Sequence, residues 1–188
     1  MLVKFLDTMR HLEKLRKSFI IGKMQPRFLF PREGVKRFIH IWWGGMQHNG
    51  DLMILLAYLL TQNPEWRDVK ITILSMASTE EMRNSTETYL NKLILEIRID
   101  AVIRVIMEEK GKTFQEIVHR ESAEAEVVIF GLATPAVGKE EEYAKRLEQL
   151  TGDFPTVFFV KNSSLFMGQL LLRKSILLGG SEPDIGQS

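Results

Sequence analysis

The chain contains no cysteine. Disulfides, thiolate metal sites and cysteine nucleophiles are therefore excluded, and a reducing compartment is permitted though not required. Long hydrophobic runs are also missing. The longest, residues 52–60, is about half of the ~20 residues that a membrane-spanning helix needs. The first ten residues carry Lys4, Asp7 and Arg10 and lack the uncharged apolar stretch of a signal peptide. Charge of one sign is missing too: 25 Lys and Arg stand against 24 Asp and Glu, a net +1. Bulk charge thus gives no drive toward nucleic acid or acidic lipid. There is no internal repeat and no low-complexity tract. What remains is an ordinary globular composition, 45% hydrophobic and 26% charged over 188 residues, enough for one domain with a full core in an aqueous phase.

Hydrophobic periodicity divides the chain into three parts. Residues 1–34 hold a leading helix over 2–16, with Leu2, Phe5, Met9, Leu12 and Leu15 at helical spacing, a short strand in the apolar run at 18–21, and a loop punctuated by Pro26 and Pro31. Residues 35–162 alternate strand and helix five times. The predicted strands are 38–43, 69–76, 101–107, 126–131 and 156–160, each a Val/Ile/Phe-rich run bounded by turns. Helices are predicted over about 50–62, after Ser78 with Glu81 as a capping box, after Thr113 with Glu116 as a second, and over 139–150. In the second of these, Met82, Tyr89, Leu93, Ile94 and Ile97 share a face. In the third, Phe114, Ile117 and Val118 point inward. Nearly continuous apolar strands separated by helices imply parallel strands covered on both sides. The expected fold is an α/β open, doubly wound, mainly parallel five-stranded sheet with helices on both faces. Residues 163–188 form an apolar docking tail with a frayed end, carrying Leu165, Phe166, Met167, Leu170, Leu171 and Leu172.

Such a sheet binds ligands at the carboxyl ends of its strands. Two glycine-bearing loops follow strands there, WWGGMQHNGD at 42–51 and GLATPAVGKEEE at 131–142. Gly44, Gly45, Gly131 and Thr134 are the candidate ligand lip. The spacing fits neither the P-loop nor the dinucleotide fingerprint. The plainer reading is a pair of tight turns re-entering helices. His40 sits mid-strand among apolar neighbours, His48 in the glycine loop, and His11 and His119 on helices. No two histidines stand at ligand spacing, and no second titratable group is placed by local spacing to make His40 a general base. Asp51, Glu80, Glu81 and Glu140 lie at helix starts, where the macrodipole accounts for them. Neither catalytic residues, metal ligands nor a cofactor are expected. The segment 51–60 (DLMILLAYLL) is apolar nearly all round, so either neighbouring elements or a partner must cover its outer side. Leu52, Leu55, Leu56 and Leu59, with Phe166, Leu170 and Leu171 of the tail, are the candidate interface residues.

The segment HIWWGGMQHNGDLMILLAYLLTQNPEWRDVKITI (40–73) resembles the cytosolic C-terminal domain of cation–chloride cotransporters, the Na–K–Cl and K–Cl family. It shows a Trp-Trp strand end, a glycine loop, a Leu-rich helix ending Tyr-Leu-Leu, and Trp66 just before the next strand. FLDTMR (5–10), KLILEIRID (92–100), VVIFGL (127–132) and TVFFVK (156–161) are similar to further parts of that family. The resemblance implies the second of two universal-stress-protein-like halves, a homodimer on the cytoplasmic side of the cell membrane, joined to a membrane transport domain of the same parent and acting in regulation. The link at 108–112 is short, and no long acidic or serine-rich insertion occurs there. A free-standing nucleotide-binding stress protein is the other reading that the same fold admits.

Overall fold

The computed structural model describes residues 2–25, 37–44, 47–66 and 68–164. Gly45 and the tail residues Phe166, Leu170 and Leu171 lie outside that set. Five strands run parallel: β2 (Phe38–Trp43), β3 (Lys70–Ala77), β4 (Ala101–Met107), β5 (Val127–Gly131) and β6 (Thr156–Lys161). A sixth, β1 (Phe19–Met24), pairs antiparallel with β6, from Phe19 opposite Lys161 to Met24 opposite Thr156. Among the described residues the sheet thus has six strands where the sequence predicts five, because the short strand read at 18–21 pairs into it instead of standing apart. The run at 18–21 is the start of an edge strand. Only its Ile21 is buried, and Gly22 and Lys23 interrupt the apolar stretch that betrays a central parallel strand.

The strand order is β1-β6-β5-β2-β3-β4. The chain steps outward from β2 to β3 and β4, then returns to the other side of β2 as β5 and β6. The switch point lies between the carboxyl ends of β2 and β5. Period-two alternation splits the side chains between two layers. Ile39, Ile41 and Trp43 pack with Met53, Ile54 and Ala57 of α2 (Gln47–Thr61) and Leu90 of α3 (Glu80–Ile97). Trp42, Val128 and Phe130 pack on the opposite side with α1 (Leu2–Lys14), α4 (Phe114–Glu121) and α5 (Glu140–Thr151).

Local details depart from the sequence reading in two helices. Among the described side chains of α1, Leu6 and Met9 are fully buried while Phe5, and Leu15 just after the helix, are exposed; packing against α5 turns Leu6 inward in place of Phe5. Arg10 fixes that docking through an ion pair with Glu140 and a 2.9 Å bond from Nη2 to the Pro135 carbonyl. In α3 the residue turned fully inward is Leu90, and Met82 and Tyr89 are exposed. The N-cap of α3 is Thr79 rather than Ser78. Thr79 has extended backbone and accepts from the Met82 N–H at 3.2 Å, so Glu81 falls at the second helical position and cannot close the predicted box. The Thr113/Glu116 box of α4 forms as expected, with both reciprocal bonds present.

Candidate functional site: a cleft at the switch point

A cleft of about 910 Å³ opens over the carboxyl ends of β2, β3 and β5, where parallel sheets of this kind bind ligands. Trp42, Trp43 and Gly44 come from the end of β2 and Gly131 from the end of β5. Ser85 and Tyr89 of α3 form one wall, and Phe114, Tyr143 and Arg146 of α4 and α5 the other. Phe114 meets the Trp42 ring edge-on, 5.4 Å between centroids. That contact explains why this residue, expected inward, is 44% exposed: it closes the cleft rim. The lining is mainly apolar and aromatic, with hydroxyls at Ser75, Ser85, Thr86, Tyr89 and Tyr143 and a single cation, Arg146, among the described residues.

The structure brings Gly44 and Gly131 to this cleft. The third described lip residue, Thr134, does not line it: its hydroxyl donates to the Glu13 carboxylate at 2.9 Å. The main-chain donors after β5 are also engaged. Leu132 N–H bonds the Val160 carbonyl at 2.8 Å and Ala133 N–H bonds the Tyr143 hydroxyl at 3.0 Å. Burial holds the Tyr143 phenol above its ordinary pKa, keeping it neutral. Arg146 lies 5.9 Å over the Tyr143 ring and 3.6 Å from Glu142.

Two glycines of the loops serve packing. A Cβ on Gly50 would stand 2.1 Å from Trp43 Cη2, so α2 can lie on the indole only because this position has no side chain. A Cβ on Gly131 would stand 3.0 Å from Asn49 Nδ2. Asn49, 2% exposed, is the residue that sequence reasoning missed. Its Nδ2 donates to the Leu132 carbonyl at 2.9 Å and its Oδ1 accepts from Asn162 N–H at 2.8 Å. One side chain thereby ties the first turn of α2 to the ends of β5 and β6. An asparagine beside a helix start reads from sequence as a cap or turn residue, and nothing local reveals partners some 80 and 110 positions away.

His40 is buried below the cleft, on the α4 side of β2. Trp42 Nε1, a donor only, gives its hydrogen to Ser122 Oγ at 3.0 Å, and Ser122 Oγ lies 3.0 Å from His40 Nδ1. The hydroxyl proton is therefore free to go to Nδ1, an arrangement that suits a neutral imidazole with hydrogen on Nε2. Burial, aided by Arg104 and opposed by Glu121, lowers the His40 pKa to about 4. A neutral, hydrogen-bonded histidine in that setting is structural. Because its folded pKa lies below its unfolded value, the unfolded chain binds the extra proton between pH 6.5 and about 4. Stability from this residue is complete above that window and falls as pH drops through it. Its contribution at pH 4.5 is expected to be about 2.5 kcal/mol lower than at pH 7.5. The check is urea denaturation of the protein and its His40→Gln variant at both pH values; the acid loss of stability should be smaller in the variant by that amount.

Among the described residues no group of three or more His, Asp or Glu side chains is placed to hold a metal ion. An open, mainly parallel sheet with helices on both faces, an aromatic switch-point cleft and engaged main-chain donors at its lip defines a doubly wound α/β module. The profile of Solute carrier family 12 matches residues 8–116, more than half of the chain, and the chain belongs to that family. It is 27% identical over 126 residues to "Potassium/chloride cotransporter 3" of Caenorhabditis elegans, which covers 66% of this chain and 12% of the relative. The chain thus spans about an eighth of that relative's length. Among solved structures, the "Crystal structure of the cytoplasmic domain of a prokaryotic cation chloride cotransporter" shares the fold with a TM-score of 0.63, 19% identity, and coverage of 90% of this chain and 62% of that one.

Proposed function

We propose that this chain is the cytosolic regulatory and dimerisation domain of a cation–chloride cotransporter, joined to a membrane transport domain of the same parent, and that it works through surface contact without catalysis. Family membership supports the parentage. No helix among the described residues is long and apolar enough to cross a membrane. The observation that carries the contact role is the outer row of α2. Met53, Ile54 and Ala57 are buried against the sheet, Leu52, Leu55 and Leu56 are half-buried, and Tyr58 and Leu59 are 41% and 56% exposed. The same helical layer presents Leu95 of α3, 77% exposed. Covering half of a leucine contributes about 1 kcal/mol, and a two-fold contact counts each residue twice. The reading as a free-standing nucleotide-binding stress protein has less support. It needs free donors at the lip, and there the Leu132 and Ala133 N–H groups are already bonded and the Glu13 carboxylate faces Thr134.

The proposal is tested in the intact parent. Leu59→Glu is expected to change chloride-coupled cation flux at unchanged surface abundance, whereas Leu15→Glu, at a still more exposed leucine just after α1, leaves flux as it was. Equal flux from all three proteins would count against a regulatory role for this face.

A further inference from the structure

We propose that residues 165–178 of this same chain seat in the switch-point cleft, making the cleft a receptor for the chain's own apolar tail. The inference goes beyond the regulatory reading and does not depend on it. Three observations carry it. The first is the lining: Trp42, Trp43, Met53, Phe114, Phe130 and Leu147 make the cleft chiefly apolar, and its one cation among the described residues, Arg146, is engaged with Tyr143 and Glu142. Such a surface suits leucine and phenylalanine side chains better than a charged small molecule.

The second is where the described chain ends. β6 is parallel to β5 and β2, so all three finish on the cleft's side of the sheet. Asn162, directly after β6, is clasped by Asn49 beside Gly131 at the cleft. From β6 to β2 is two strand spacings, about 10 Å, which three or four residues of extended chain span. Asn162 Nδ2 and Ser163 Oγ, at the point where the tail departs, are buried without a hydrogen-bond partner among the described residues. Buried donors in that state cost about 1–3 kcal/mol each. Main-chain carbonyls of a tail turning back over the sheet edge would satisfy both.

The third is the chemistry of the tail. Phe166, Leu170 and Leu171, with Leu165, Met167 and Leu172 beside them, form an apolar segment directly ahead of Arg173 and Lys174. Exposed, it would be a large sticky patch. Tethering places it near the cleft at millimolar effective concentration, and closing so short a loop costs little. Occupancy in cis also removes Phe166, Leu170 and Leu171 from the dimer surface and leaves that role to α2.

The absence of cysteine allows a direct test on the full chain. Ser85, exposed on α3 at the cleft wall, is changed by Ser85→Cys and coupled to a benzophenone maleimide. The labelled protein, mixed equally from ordinary and nitrogen-15-enriched chains, is irradiated, digested and read by mass spectrometry. The expected result is crosslinks from position 85 to peptides of 165–178 carrying the same isotope. A control label through Lys92→Cys, on the solvent side of α3, should reach no tail peptide. Absence of tail crosslinks from position 85, tail crosslinks between isotopes only, or equal tail capture from position 92 would each overturn the proposal. Crosslinking within one chain is read independently of self-association, so its failure is distinguishable from failure of the dimerisation reading.

Discussion

Gly50→Ala is expected to destabilise the domain by about 2 kcal/mol net, although glycine to alanine inside an ordinary helix gains about 1 kcal/mol. Two effects oppose each other here. The helix gains propensity, but the new methyl would lie 2.1 and 2.2 Å from Trp43 Cη2 and Cζ3. The indole cannot swing away freely: it is 5% exposed and packs 6.2 Å from the Tyr89 ring. Overpacking of a core contact costs about 1–3 kcal/mol and sometimes more, and an overlap this deep belongs at the upper end, so the clash wins. Trp43→Phe removes the atoms that collide. Alone it should cost about 1–3 kcal/mol through the cavity it leaves. Combined with Gly50→Ala it should cost less than the sum of the two single changes by at least about 1 kcal/mol. Denaturant titration of the four proteins reads this directly. A stabilised Gly50→Ala protein would show that α2 does not rest on the Trp43 ring.

Asn49→Ala is the second large effect, a loss of about 3 kcal/mol. The side chain is almost wholly buried, and its removal strands the Leu132 carbonyl and the Asn162 N–H. Each unsatisfied buried group costs about 1–3 kcal/mol. Asn49→Asp separates the two bonds. It keeps an acceptor for Asn162 but sets a carboxylate against the Leu132 carbonyl. Only the protonated acid can donate there, so its folded pKa is raised. The stability it supports is present below the ordinary carboxylate pKa and is lost as pH rises. Relative to the parent at each pH, Asn49→Asp should therefore be milder near pH 4 than at pH 7, while Asn49→Ala shows no such trend. Equal deficits for Asn49→Asp at both pH values would remove the Leu132 bond from the account.

Much of this architecture is legible in the sequence because burial on two faces leaves a strong mark. β2 and β5 read as nearly continuous apolar runs, broken only by His40, and the Thr113/Glu116 cap is local chemistry complete within four residues. What escapes is whatever depends on one covered side or on distant partners. β1 is half-wet and paired antiparallel to the last strand. The α1 stripe is set by Arg10 reaching Pro135 and Glu140. The cleft itself is legible in location, through glycine loops after the first and fourth of the five predicted strands, but not in character. The loop glycines alone do not disclose that Gly50 accommodates an indole, that Gly131 accommodates Asn49, or that Tyr143 spends the Ala133 donor. The Trp42–Ser122–His40 relay joins residues about 80 positions apart, and it makes the histidine a neutral part of the core.

The central claim, that the outer row of α2 joins two copies of this domain, is tested most directly by sedimentation equilibrium of the full chain from low to high micromolar concentration, beside Leu59→Glu. The expected result is a dimer for the parent and a monomer for the variant, with unchanged circular dichroism. A parent that stays strictly monomeric at high micromolar concentration, or a Leu59→Glu variant that dimerises as well as the parent, would contradict it.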